Sequence, residues 1–243
     1  MSVFTIDYSQ DKFSLGRNTI ILGGRGKGKT NLVLTNIFLK FHSKINHLFV
    51  VSQDEKYREA TDYIFQEKHF LKIFEEIQAL DRNETKLLII DEIKPSMYPI
   101  VESILINSHY FNITVIIVSQ TARLSMIMKN YIENAVISSD GFAGTIRNFY
   151  ESFGLIYGNY NHFLEVVSGL GKNEFLFLGR NNVAIVRTND HWLKYLYSYK
   201  MQVRYDVLKK IHDDNKHLDL LEKVNTMISE LEDLKKRLEN NKN

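Results

Sequence analysis

The apolar positions of this chain fall into short, β-branched runs separated by amphipathic stretches. That is the pattern of buried parallel strands joined by crossover helices. Residues 19–22, 47–51, 87–90, 114–118 and 135–138 read as strands, and the 3.6-residue period predicts helices over 30–42, 70–80, 99–110 and 144–153. Alternation at these lengths predicts a doubly wound α/β domain, a mainly parallel sheet sandwiched by helices. Pro95 and Pro99 lie between the third strand and the next helix. Pro99 suits a first helical turn, where a missing N–H costs nothing.

Beyond Leu155 the rhythm changes. Residues 163–169 read as helix, and EFLFLG and NVAIVR flank Gly179-Arg180-Asn181 as a strand–turn–strand hairpin. The hairpin would add antiparallel strands to one edge of the sheet. From about Lys200 the chain is polar and helical, with Leu221, Val224, Ile228, Leu231 and Leu238 at three–four spacing and Lys235 interrupting it. Such a tail folds back as an amphipathic helix, joins subunits as a short coiled coil, or stays free. The expected division is a domain over 1–199 and a helical tail over 200–243.

Composition narrows the class. The 243 residues are 44% hydrophobic and 25% charged, which excludes a wholly disordered or collagen-like chain. Thirty-one basic against 29 acidic residues leave a net charge of +2, too little for a global field that recruits nucleic acid or anionic membrane. Any DNA contact must then come from a local patch or the inner surface of an oligomer. There is no cysteine, so disulfides, thiolate metal sites and cysteine nucleophiles are excluded. The histidines are scattered without zinc-site spacing. The first twenty residues lack a secretory pattern and the apolar runs stop at four or five residues, against about 20 for a membrane span. A soluble intracellular protein is expected.

The chemistry begins at Gly23-Gly24-Arg25-Gly26-Lys27-Gly28-Lys29-Thr30, between a predicted strand and a predicted helix. It satisfies G-x-x-x-x-G-K-[ST] in the context that motif requires. The glycines at 23, 24, 26 and 28 are expected to take positive φ and turn backbone N–H groups onto phosphate oxygens. The following helix adds its positive end. Lys29 supplies charge for the β- and γ-phosphates, and Thr30 a hydroxyl for Mg²⁺. Arg25 and Lys27 either touch phosphate or stand in solvent.

The third strand ends in Asp91-Glu92. An acid at this place holds Mg²⁺ in P-loop NTPases, which makes Asp91 a metal candidate. Glu92, one residue on, can deprotonate a water facing the γ-phosphate. The fourth strand ends in Ser119-Gln120, and an amide there can contact both that water and the γ-phosphate.

Taken in order, GGRGKGKT, HLFVVSQDEK, LLIIDE and NSHYFNITVIIVSQ resemble the FtsK/HerA superfamily of P-loop ATPases, with its RecA/FtsK-like fold. Within it they resemble the poxvirus-type genome-packaging ATPases of large DNA viruses and their smaller relatives. Residues 52–55, the His109-Tyr110-Phe111-Asn112-Ile113 pattern and the EFLFLGRNNVAIVR hairpin share in the resemblance, which spans roughly residues 15–190. Gly23, Gly28, Lys29 and Thr30 match the phosphate loop, Asp91 and Glu92 the paired acids, and Gln120 the sensor. The resemblance implies ATP and Mg²⁺ as cofactors and a homo-oligomeric ring of five or six. It implies double-stranded DNA driven through the centre into a capsid without sequence preference, capsid proteins as further partners, and no membrane. It also implies an arginine finger reaching a neighbour's ATP. Where the family carries Ile-Arg-Asn, this chain has Ile132-Glu133-Asn134. Arg123, Arg147 and Arg180 remain, with Arg147, on the helix after the fifth strand, the first choice.

For DNA, Lys172, Arg180 and Arg187 near the hairpin, and the Lys and Tyr residues of 194–210, are local candidates. Two other readings stay open. One is a different FtsK/HerA-type ATPase of phage assembly or DNA transfer; the other is a slow nucleotide-dependent switch or scaffold, which Glu133 would favour. A small-molecule kinase has least support.

Overall fold

A computed structural model of the protein describes residues 12–188 apart from 55, 58, 59, 62, 63, 122, 140–142 and 181. The expected tail over 200–243 and its boundary with the domain lie outside the described residues.

One eight-stranded sheet organises the chain. Its strands are β1 (Thr19–Leu22), β2 (His47–Val51), β3 (Ile64–Phe65), β4 (Lys86–Asp91), β5 (Ile113–Ser119), β6 (Asn134–Ser138), β7 (Glu174–Leu178) and β8 (Val183–Arg187). They lie in the order β3-β2-β4-β5-β1-β6-β7-β8. The first six are parallel, and β7 and β8 close one edge as the antiparallel hairpin the sequence predicts. All five strands read from the apolar runs are present. β3 was not legible, since two residues carry no periodicity.

Handedness assigns the helices. From β1 to β2 the chain moves one way across the sheet; from β2 to β4, β4 to β5 and β5 to β6 it moves the other way. Right-handed crossovers therefore put the helix after β1 on one face and the later helices on the opposite face. Those are α3 (Phe70–Ala79), α4 (Tyr98–Ile106) and α5 (Met126–Tyr131); α6 (Ala143–Phe153) and α7 (Tyr160–Gly169), before the antiparallel β7, join them through the core they share. Their Ile73, Val101, Ile104, Met128, Phe149 and Phe163 share one core with Ile20, Leu88, Ile90, Val115 and Ile117 of the sheet. No residue of the helix after β1 joins that core. Ile21, Ile89, Ile116 and Val136 are equally buried but alternate with it, so the sheet is covered on both faces.

The helix after β1 is less regular than its sequence predicts. α1 (Lys29–Leu32) widens into a π-helical stretch, Val33–Phe38, before α2 (Leu39–Phe41). Two buried polar side chains sit in the wide part. Thr35 Oγ1 donates back to Asn31 O at 2.7 Å, and Asn36 Nδ2 reaches Arg187 O at 3.2 Å. Pro95 opens a 3₁₀ turn, Pro95–Met97, and Pro99 lies in the first turn of α4 as expected. That helix ends at Ile106, not at 110, because the chain must turn back into β5: Ile113 N donates to Ser108 O at 2.9 Å and Asn112 takes φ 49°.

The amino ends of the strands are locked by Asn18. Its Nδ2 donates to Ser108 Oγ and to Tyr131 O, both at 3.1 Å, and its Oδ1 accepts from Val115 N at 3.0 Å. Its backbone N–H donates to Glu133 Oε2 at 3.2 Å, and its carbonyl accepts from Glu133 N at 2.9 Å. Glu133, where the family pattern has arginine, is thus a framework residue at the edge opposite the carboxyl ends of the strands.

Candidate nucleotide-binding site

The order β4-β5-β1 brings three predicted segments to one edge. Gly23 follows β1, Asp91-Glu92 end β4, and Gln120 follows the strand between them. β5 ties the flanks together: Gly23 N donates to Ser119 O at 3.2 Å and Glu92 N to Val118 O at 2.8 Å. The edge opens as a cleft of about 1030 Å³, lined by Arg25 through Thr30, Asp91, Glu92 and Gln120.

Positive φ is present at Gly26 (79°) and Gly28 (85°) but not at Gly23 or Gly24, which corrects the expectation for those two. Gly23 is favoured for a different reason. A Cβ there would stand 2.2 Å from Ser138 Oγ and 3.1 Å from Ser138 Cβ, so a side chain at this position would force Ser138 to shift at the end of β6. Lys29 is only 8% exposed, and its Nζ donates to Gly23 O at 2.8 Å and Gly24 O at 3.0 Å. Burial pulls its pKa down, opposed by the charges of Glu92 and Asp91. Arg25 is exposed and Lys27 half-buried, and both line the cleft.

Asp91 is half-buried, whereas Glu92 is exposed and holds φ 65°, a left-handed conformation that a non-glycine residue adopts at a cost. Burial, then Glu92 and Asp54 beside it, push the Asp91 pKa up to about 6 against the pull of Lys29. Three residues to which the sequence reading gave no role complete this corner. Ser52 Oγ donates to Asp91 Oδ2 at 3.5 Å and accepts from Asp54 N at 2.8 Å. Thr30 Oγ1 donates to Asp54 Oδ2 at 3.3 Å. Tyr57 is fully buried and its hydroxyl makes no well-formed hydrogen bond, though it lies near enough to Thr30 and Asp91 to feel both; burial raises its pKa far above the ordinary value. Their signal in the sequence was the polar run directly after a buried strand, at an end that the strand order places beside β4.

The donor set suits a hard divalent cation. Thr30 and Asp91 offer a hydroxyl and a carboxylate, with Glu92 and Asp54 close enough to Asp91 to repel its charge. Among the described residues no three acidic or imidazole groups gather into a cage.

Arg147 does not line the cleft. It is exposed on α6 and pairs with Glu151 at 3.0 Å. Arg123 and Arg180 are also exposed. Of the proposed DNA contacts, Arg187 is engaged with Glu174 at 2.6 Å and Lys172 faces the cleft. Residues 194–210 lie outside the described residues. The His109–Ile113 pattern forms the turn into β5, at the edge away from the cleft.

No protein-family model and no curated protein sequence matches the chain. Solved structures do. The genome packaging NTPase B204 from Sulfolobus turreted icosahedral virus 2, in complex with AMPPCP, superposes with a TM-score of 0.57 at 15% identity, over 72% of this chain and 100% of that one. The pCW3 conjugation coupling protein TcpA, with ATPγS, gives 0.55 at 13%, over 79% and 66%. EssC (ATPases 2 and 3) from Geobacillus thermodenitrificans gives 0.54 at 14%, over 80% and 45%. These neighbours do not carry the narrower poxvirus-type resemblance. What the likeness shows is the fold: a P-loop NTPase fold of the FtsK-like kind, with a mostly parallel eight-stranded sheet between helices. Among the described residues no helix is long and apolar enough to cross a membrane.

Proposed function

We propose that this protein binds ATP with Mg²⁺, hydrolyses it, and uses the cycle to translocate double-stranded DNA, with packaging of a viral genome as the specific task. The observation that carries the proposal is the meeting of Lys29, Thr30, Asp91, Glu92 and Gln120 at one sheet edge, from three separate segments. The neighbours named as genome-packaging and coupling proteins support the DNA-moving part.

In this reading the loop amides and the helix start hold the phosphates. Lys29 exchanges a loop carbonyl for a β- or γ-phosphate oxygen. Thr30 and Asp91 hold Mg²⁺, which when bound neutralises charge on the β- and γ-phosphates. Glu92, exposed beside Asp91, takes the proton of the attacking water as that water's oxygen bonds to the γ-phosphorus and the bond to ADP breaks. Gln120 orients the water and contacts the γ-phosphate. Because β5 is bonded both to Gly23 and to Glu92, loss of phosphate at Gln120 is felt on both sides of the cleft. Arg147, already at the surface, serves as the finger on the next copy of a ring of five or six, and capsid proteins are its docking partners.

The test is ATPase rate with and without double-stranded DNA at low salt, for the protein and for Glu92→Gln. DNA-stimulated turnover that the variant abolishes supports the motor. A rate that DNA does not change in a confirmed oligomer refutes it. The slow-switch reading rests on the arginine missing at Glu133, a residue that here bonds Asn18, and tight nucleotide binding with negligible turnover in a confirmed oligomer would favour it.

A further inference from the structure

The acids stand on one side of the phosphate loop, and a second group of polar side chains stands on the other. β4 lies two strands from β1 in one direction, and β7 two strands away in the opposite direction. Because β7 runs antiparallel, its start lies with the end of β6, Phe175 opposite Ser138, so the turn before β7 comes to the same edge as the phosphate loop. Lys172 and Asn173 of that turn line the cleft. A triphosphate whose γ end points to Asp91 and Glu92 sends its nucleoside end towards them.

The turn is built to hold Asn173 there. Asn173 takes φ 64°, and its carbonyl accepts from Thr188 N at 3.1 Å. Gly171 N donates to Glu174 Oε2 at 2.7 Å, and Glu174 is fixed from the other side by Arg187 at 2.6 Å. The asparagine side chain leans over the loop: a Cβ on Gly28 would stand 2.9 Å from Asn173 Oδ1. Among the described residues its amide makes no hydrogen bond, so a donor and an acceptor face the cleft on a braced, left-handed residue.

Resting on the nucleotide reading above, we propose that Asn173 is a positioning residue for the nucleoside half of ATP, its amide hydrogen-bonding the ribose while the loop holds the phosphates. Asn173 selects a nucleoside triphosphate over an inorganic polyphosphate of equal charge. Removing the amide should weaken nucleotide binding about three- to tenfold, the loss of one hydrogen bond.

The experiment titrates the full chain with Mg²⁺-AMPPCP and with Mg²⁺-tripolyphosphate, for the protein, Asn173→Gly and Asn173→Ala. Glycine keeps the positive φ without strain, so its losses report the side chain and not the backbone; alanine adds the strain. The expected result is weaker AMPPCP binding in both variants with tripolyphosphate unchanged in Asn173→Gly. Equal losses for both ligands in Asn173→Gly would mean that the residue acts on loop shape and would overturn the proposal, as would no loss for either. If the unaltered protein bound neither ligand, the nucleotide reading itself would fail and take this proposal with it.

Discussion

Replacing Asp91 with asparagine should make the nucleotide-free protein more stable while ending its catalysis. Burial together with Glu92 and Asp54 raises the Asp91 pKa from 3.8 to about 6. A rise of about 2 units is worth close to 3 kcal/mol at 1.36 kcal/mol per unit, and its sign is unfavourable to the fold at neutral pH. The folded state holds the proton more tightly than the unfolded chain. Stability from this group is therefore full below the unfolded value near 4 and lost as pH rises through 6. Asparagine carries no charge and escapes the penalty; it gives up only a long contact with Ser52 at 3.5 Å. Expected at pH 7.5, with EDTA and no nucleotide, is a gain of about 2–3 kcal/mol, or roughly 5–10 °C in Tm for a domain of this size. Near pH 5 the gain should shrink to about half, because Asp91 in the folded protein is then mostly protonated. Urea melts of the two proteins at both pH values read this directly. A variant less stable at pH 7.5, or a gain that does not shrink on acidification, would refute the reasoning.

Four further outcomes follow from named contacts. Glu92→Gln should bind AMPPCP as the parent does and lose about 10²–10⁴ in turnover, measured by phosphate release. Gly23→Ala should cost about 1–3 kcal/mol in a denaturant melt, because its Cβ meets Ser138 Oγ at 2.2 Å, and Ser138→Ala in the same chain should recover part of it. Glu133→Arg should lower stability by about 1–2 kcal/mol, since Asn18 N–H loses its partner, and should not raise ATPase rate. Arg147→Ala should leave the melt within about 1 kcal/mol, because its pair with Glu151 is exposed, but cut the rate of the assembled protein about 10³-fold.

What the sequence disclosed was whatever depends on neighbours along the chain. The strands 87–90 and 114–118 extended by only one residue at each end, because unbroken β-branched runs buried on both faces have few other places to go. The phosphate loop was legible because all of its chemistry lies within eight residues. The corner formed by Ser52, Asp54 and Tyr57 was not, since it depends on β2 lying next to β4, a fact of strand order. The π-helical widening at Val33–Phe38 escaped for a similar reason. Asn36 finds its carbonyl partner 151 residues away, on β8. The framework role of Glu133 was not legible either, because a family pattern fixes a position in the chain but not an edge of the sheet.

The two edges of the sheet differ in what their residues are asked to tolerate. At the amino edge Asn18 has its amide and carbonyl oxygens and both kinds of N–H engaged, and the positive φ of Asn112 is supported by Asn112 Nδ2 donating to Asn83 O at 3.2 Å. At the carboxyl edge Glu92 is held left-handed and exposed, Asp91 is crowded by two other acids, and the Tyr57 hydroxyl is buried without a well-formed bond. Each of these costs the fold stability, and none would be improved by closer packing of the apoprotein. The crowding of charge at Asp91 is the one that an arriving cation would relieve. That crowding is consistent with the proposed cation, on grounds separate from the glycine motif. It also sets a condition on the assignment: Mg²⁺ with AMPPCP should raise the melting temperature of the parent protein by more than it raises that of Asp91→Asn, whose crowding has already been removed. Equal shifts would mean that the acids at the end of β4 take no part in binding.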